Sequence, residues 1–329
     1  MANETTSTTW SKVTLSESLR GVVMAHTADK IVMRNLMNFD SIDGVPSLSA
    51  DYPVYTDLGP LSAGSEGTDI SANIEMALGT TVTLTPTEGA AGKATITTRA
   101  MRRRIPGYQG SSLYEDLAQK DLALVTNALR PEAMRLMLAA REKVEGDCVA
   151  LLASLSNTVG TSGSDLSIAD LLTAQYQMRT QSPHHRDWAY TLTANQFLEA
   201  QTAFGGASGT AASVWFQQGN VDFLNLNPDA SRVGYEGTVM GIPIYVFESA
   251  HNQTANAGAD VVGGLICVGR GSPESGQQGA FAYVEGEPVR YFIDSDESAR
   301  QGELGIIAEY AAGVLDDNAG VGIVTDAPA

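Results

Sequence analysis

The side chains able to do chemistry are few, and their spacing suits none of the common reactions. Four histidines, His26, His184, His185 and His251, are scattered over the chain. His184 and His185 follow Pro183 with no Cys or Glu at ligand spacing, which suits a surface loop better than a zinc site. Cys148 and Cys267 fall in apolar stretches and read as small core residues. Asp294-Ser-Asp296-Glu-Ser298 opens like a calcium loop, but no Gly stands at the sixth position and no Glu at the twelfth, so it reads as a solvated acidic turn. There is no Gly-x-Ser-x-Gly, no Walker loop and no Gly-x-Gly-x-x-Gly. Gly263, Gly264, Gly269 and Gly271 have neither phosphate-loop spacing and read as packing and turn positions. These residues define no catalytic constellation, cofactor site or metal site.

Charge narrows the partners. The chain has 329 residues, 20 Lys and Arg against 38 Asp and Glu, and a net charge of −18. Residues 158–329 hold 6 basic and 20 acidic groups, or −14 of that total. Such a chain repels a polyanion, which argues against a dedicated sequence-specific nucleic-acid binder or a polybasic membrane anchor. No apolar run approaches the roughly 20 residues of a spanning helix. The N-terminal residues lack a basic flank followed by an apolar stretch, and two cysteines make no disulfide framework, so cytoplasmic synthesis is expected. The densest positive spot is Arg99, Arg102, Arg103 and Arg104. Arginine pairs with carboxylates in a bidentate fork, so this cluster is expected to meet acidic groups of another copy of the chain, with nucleic acid as the alternative partner.

The elements that must position these groups are mixed. Residues 1–19 read as an extended arm and Leu19–Met37 as a helix, with a turn-rich break at Asp40–Pro46. Val82 and Leu84 alternate with threonines, as do Thr95, Ile96 and Thr97, around Glu88-Gly-Ala-Ala-Gly-Lys93. That predicts a hairpin over 51–106 with a flexible tip at Glu88–Lys93. The hairpin is poor in large apolar residues and is expected to lean on another chain or domain. Helical pattern dominates Ser111–Ser156, with a new helix from Pro131 in which Met137, Val144 and Leu151 recur every seven residues. A second helix at Ser167–Gln181 puts Ile168, Leu171, Leu172 and Tyr176 on its apolar side. A short strand at Asp187–Thr193, a helix at Ala194–Phe204 and strands at Gly237–Phe247, Val261–Val268, Glu287–Ile293, Leu304–Leu315 and Val321–Thr325 complete the pattern. Asp316-Asp317-Asn318-Ala-Gly320 reads as a hairpin turn. The fold class is α+β, without βαβ repetition.

The order of these features resembles the major capsid protein of tailed bacteriophages, the Hong Kong 97-like fold. That family has an N-terminal arm, a long hairpin called the E-loop, a P domain with a spine helix, an A domain, and a return to the P domain through late strands. Gly237-Thr-Val-Met-Gly-Ile-Pro-Ile-Tyr-Val-Phe247 resembles a frequent strand of the family, and Ile306 to Val324 resembles its closing strand pair. The resemblance divides the chain into an arm (1–50), an E-loop hairpin (51–106), a P domain with spine helix (107–157), an A domain (158–286) and closing strands (287–329). It implies a non-enzymatic subunit without cofactor, forming hexamers and pentamers of itself in a virion capsid around non-specifically held double-stranded DNA. A portal protein, and separate scaffolding or decoration proteins, would be its other partners. It makes Arg99, Arg102, Arg103, Arg104, Glu88 and Lys93 candidates for contacts between subunits. Some members weld subunits by a Lys–Asn bond; Lys93 and Asn318 fit that placement loosely, with no glutamate assignable beside them. Two other readings stand beside it: an encapsulin, the same fold used as a protein-storage shell, and a soluble enzyme with an unrecognised site.

Overall fold

The computed structural model of the protein describes residues 31–44, 47–55, 78–97, 122–181, 187–206, 216–218, 234–247, 253–269, 279–287, 289–296 and 301–327. A 3-10 helix at Met33–Leu36 leads into strands β1 (Asn38–Ser41), β2 (Ala50–Tyr55), β3 (Leu78–Leu84) and β4 (Thr87–Thr97). Helix α1 (Leu122–Ala150) tightens into a 3-10 turn at Leu151–Ser154 and is followed by β5 (Thr158–Val159), α2 (Ile168–Gln181), β6 (Trp188–Thr193) and α3 (Ala194–Gly206). Then come β7 (Phe216–Gln218), β8 (Tyr235–Val239), β9 (Ile242–Phe247), β10 (Gln253–Ala255), β11 (Asp260–Cys267), β12 (Phe281–Glu285), β13 (Arg290–Asp296), β14 (Gln301–Val314) and β15 (Gly320–Asp326).

Two sheets share one apolar core. The first runs β1-β12-β14-β13 with β4 also on β14; the second runs β5-β15-β11-β6-β9-β8-β7 with β10 on β11. β11 lies between two partners and is buried at every position, which is why its sequence is a continuous apolar run. In β14 the period is 2: Leu304, Ile306, Ala308 and Tyr310 are buried in the core that includes α1, and Ile307, Glu309 and Ala311 are half-buried on the other face. Helix α1 buries Ala133, Met137, Ala140, Val144 and Cys148, at spacings of four, three, four and four residues. Helix α2 is held at its start by a reciprocal cap: Ser167 Oγ accepts from Asp170 N–H at 3.2 Å, and Ser167 N–H donates to Asp170 Oδ2 at 3.0 Å.

Several expectations are corrected. The hairpin is β2 with β3, paired antiparallel from Ala50↔Leu84 to Tyr55↔Leu78. Glu88–Lys93 is not its tip: it lies within β4, with Glu88 opposite Glu309 and Lys93 opposite Gly305 of β14. The glycines and alanines that suggested flexibility are small because the strand is crowded. Ala90 is buried, Gly92 faces Ile306 and Leu136, and a Cβ on Gly89 would come 2.5 Å from the Tyr310 ring. Gly89 is also the extra residue of a bulge at Ala308/Glu309. The base of the β2–β3 ribbon packs on its own chain, with Ala50 and Tyr52 buried against Ala282, Val284 and Leu315 on the face of the first sheet away from α1.

Helix α1 begins at Leu122 and continues through Pro131, giving 29 residues and about 44 Å. A proline removes one helical hydrogen bond without forbidding the turns on either side. In the described part of the predicted Leu19–Met37 helix, the 3-10 helix Met33–Leu36 replaces the α-helix. In α2 the buried face is Leu171, Ala174, Gln175 and Met178, and Leu172 and Tyr176 are 42% and 69% exposed. Gly237–Phe247 is two strands joined by Met240 and Gly241, both at positive φ (53° and 81°), as a two-residue hairpin of this twist requires. Asp316–Gly320 is no hairpin turn, because β14 and β15 belong to different sheets and a 3-10 turn links them. β12 pairs with β14 in the first sheet, and β15 pairs with β11 in the second. Asp294 and Asp296 sit in β13 opposite Glu303 and Gln301, so strand pairing replaces the expected turn.

Candidate functional site

The densest side-chain constellation among the described residues binds the segment 31–42 to the body. Glu145 lies on the buried side of α1, three residues before Cys148, and is 1% exposed. Its Oε1 accepts from Val32 N–H at 3.0 Å and Met33 N–H at 2.6 Å. These groups open the 3-10 helix, whose cap position, Val32, has no side-chain acceptor to offer. The leading N–H groups of a helical turn lack internal partners and favour negative charge, so α1 supplies the acceptor from outside. Burial pushes the Glu145 carboxyl above its ordinary range, against the opposing pull of the Met33, Val32 and Arg34 N–H groups and of the Arg34 charge. Its Oε2 has no hydrogen-bond partner.

A column of rings continues from there. The Arg34 guanidinium lies 4.9 Å from the Phe39 ring centroid and 4.7 Å from that of Tyr283, and it pairs with Glu285 Oε2 at 3.2 Å. Phe39 stacks on Tyr283 at 6.0 Å and Tyr283 on Tyr310 at 5.7 Å. Tyr310 donates to Asp147 Oδ2 at 2.6 Å, and Lys143 Nζ reaches Asp147 Oδ1 at 2.5 Å. The seated backbone is completed by Met33, Leu36 and Met37 in the core, by Gly269 N–H donating to Leu36 O at 2.8 Å, and by β1 running parallel to β12.

The second sheet has its own polar anchors. Gln196 is fully buried at the start of α3; Nε2 donates to Ile323 O and Thr325 Oγ1, each at 3.0 Å, and Oε1 accepts from Thr193 N–H at 3.2 Å. A side chain on Gly263 would collide with that Oε1. Asp260 is buried and accepts from Gly163 N–H at 3.0 Å and from Asn256 Nδ2. The Ser162 hydroxyl, then Asn256 and Gly163, hold its carboxyl below the usual range.

None of this is arranged for catalysis. Cys148 and Cys267 are free but buried; burial raises the Cys148 thiol and pushes Cys267 up to about 12, so neither is a thiolate near neutrality. Among the described residues no group of three or more His, Cys, Asp and Glu could hold a metal, and no helix is long and apolar enough to cross a membrane. Of the contact candidates, Glu88 and Lys93 are exposed on β4; Arg99, Arg102, Arg103 and Arg104 lie outside the described residues, as do His26, His184, His185 and His251. Sequence reasoning missed Glu145, Gln196 and Asp260. Glu145 was findable, as a carboxylate at helical spacing from Cys148 on an apolar face.

Solved structures share this fold. The capsid of Ralstonia phage GP4 superposes with a TM-score of 0.58 at 11% identity, over 92% of this chain and 90% of that one. The chain has the Hong Kong 97-like capsid fold. The capsid of Helicobacter pylori bacteriophage KHP30 matches with a TM-score of 0.54 at 12% identity, over 88% of each chain. An encapsulin from Synechococcus elongatus shares this capsid fold, with a TM-score of 0.52 at 12% identity over 88% of this chain and 85% of that one. No family model and no curated protein matches the sequence. At these identities the Hong Kong 97-like likeness is one of fold.

Proposed function

We propose that this protein is the major capsid protein of a tailed bacteriophage, assembling with itself into an icosahedral shell that encloses double-stranded DNA. The observation that carries the reading is the extent of the likeness: about nine-tenths of the chain follows the fold of capsid subunits, in both directions of coverage. Hexamers and pentamers, a portal partner, any scaffolding or decoration proteins, and cytoplasmic synthesis before incorporation in the virion belong to the same proposal. So does the division into arm, E-loop, P domain and A domain, with the E-loop now centred on β2 and β3. Glu88, Lys93 and the four arginines remain the proposed contacts between subunits; for the arginines the support is charge complementarity with an acidic chain.

The encapsulin match supports a second reading, a protein-storage shell. Purified protein in negative stain tests the shell itself: closed particles of uniform diameter are expected, and a compact monomer at assembly concentrations overturns both shell readings. Particles from the native source then separate the two. Nuclease-protected double-stranded DNA supports the phage capsid, and particles filled with a co-purifying enzyme support the storage shell.

A further inference from the structure

We propose that Glu145 is a proton-linked latch, which seats the segment 31–42 most firmly when its carboxyl is protonated and loosens it as the carboxyl ionises. The geometry is the argument. Val32 and Met33 N–H converge on one oxygen of a carboxyl that is 1% exposed, and the other oxygen has no donor. An ionised oxygen buried without a partner is costlier than a neutral hydroxyl in the same place. Releasing the segment uncovers the carboxyl to water, where that cost disappears. Seating and protonation therefore favour each other by linkage.

The surrounding groups leave Glu145 as the one that responds. From the seated segment it faces Arg34, whose charge is shared with Glu285 and two rings. On α1, Arg141 is one turn away in sequence, and the Cys148 thiol feels both Glu145 and Asp147; Glu285 and Tyr283 on β12 meet Arg34, and Tyr310 on β14 meets Tyr283 and Asp147. Burial holds Cys148, Tyr283 and Tyr310 above their ordinary values, so all three stay neutral near pH 7. The sign follows from the raised carboxyl: seating is fully favoured below the ordinary carboxylate range and weakens as pH rises through the higher value of the seated state. The latch holds residues 31–42 to α1 and β12, so pH sets how firmly that segment is seated. The inference concerns the chain's own clasp and stands whether or not particles form.

The test is amide hydrogen exchange of residues 31–42 in the full-length protein from pH 5 to pH 8, corrected for intrinsic exchange with the unfolded peptide. The opening constant should rise with pH, approaching about tenfold per unit where one proton is released on opening. Glu145→Gln keeps a carbonyl oxygen for the two N–H groups and cannot ionise, so its opening constant should be flat with pH. A flat wild-type profile, or an equal slope in E145Q, overturns the latch. Should E145Q not fold, the carbon-13 titration of the Glu145 carboxyl in the wild-type protein decides. A midpoint above the ordinary glutamate value supports the proposal, and one at or below it overturns it.

Discussion

The Tyr310 hydroxyl donates to Asp147 Oδ2 at 2.6 Å, joining strand β14 to the helix α1 across 163 residues of sequence. The bond exists because Gly89 leaves room for the ring and because Tyr283 stacks on it from the other side. Helix, strand, bulge and ring column are thus one construction, and it is open to test.

Tyr310→Phe removes the hydroxyl and keeps the stacked ring. The loss should be about 1–2 kcal/mol of subunit stability, moderated because Asp147 keeps its contact with Lys143. Tyr310→Ala should cost about 3–5 kcal/mol, since the ring is nearly buried and its neighbours cannot close the gap. Urea unfolding of both variants beside the wild type measures the two losses; equal losses would place all of the effect in the hydroxyl.

Gly89→Ala should destabilise by about 1–3 kcal/mol, because the new methyl meets ring atoms rather than a flexible chain end. Gly92→Ala, on the same strand, has 3.9 Å to its nearest neighbours and should change stability little. Melting temperatures of the pair check this. A Gly92 variant worse than the Gly89 variant would contradict the bulge geometry.

Removing Glu88–Lys93 takes six residues out of a paired strand. The deletion should leave no soluble, cooperatively folding subunit. A folded deletion variant, seen as a single sharp melting transition, would mean that β4 is dispensable and that the original hairpin reading was the better one.

In the turn after α1, Leu152 is fully buried and Leu151 only half so. Leu152→Asp should abolish soluble expression, as a carboxylate without a partner costs several kcal/mol, roughly, in such a site. Leu151→Asp should be milder, and Cys148→Ala should cost about 1 kcal/mol. Soluble yield and melting temperature of the three give the ranking.

How much of this was legible depends on what each signal measures. The buried strand β11, the strand β6 and the start of α3 were read within a few residues, because continuous apolar runs and propensity report local facts. Of the stripe Met137, Val144 and Leu151, the first two are buried for the same reason, and Leu151 is only half-buried because the helix has tightened to a 3-10 turn there. The pairing of β4 was not, because Gly and Ala mean flexibility in isolation and close approach in a packed sheet. The face of α2 was misjudged because Leu172 and Tyr176 are apolar yet exposed, and period alone cannot say which of two candidate faces meets the core. Gln196 and Asp260 were invisible because their partners lie in β15 and in the loops flanking β5 and β10, known only once the chain has folded.

The short passage from β14 to β15 has a mechanical consequence. Asp317 accepts from Ser156 N–H at 2.9 Å, and its carbonyl oxygen accepts from Asn157 Nδ2 at 3.5 Å, so the exit of α1 and the crossing between sheets are tied at one point. Both covalent links there are too short to slacken. A tilt of one sheet against the other must therefore pivot at this knot, with α1 as the lever arm that carries the displacement along its length.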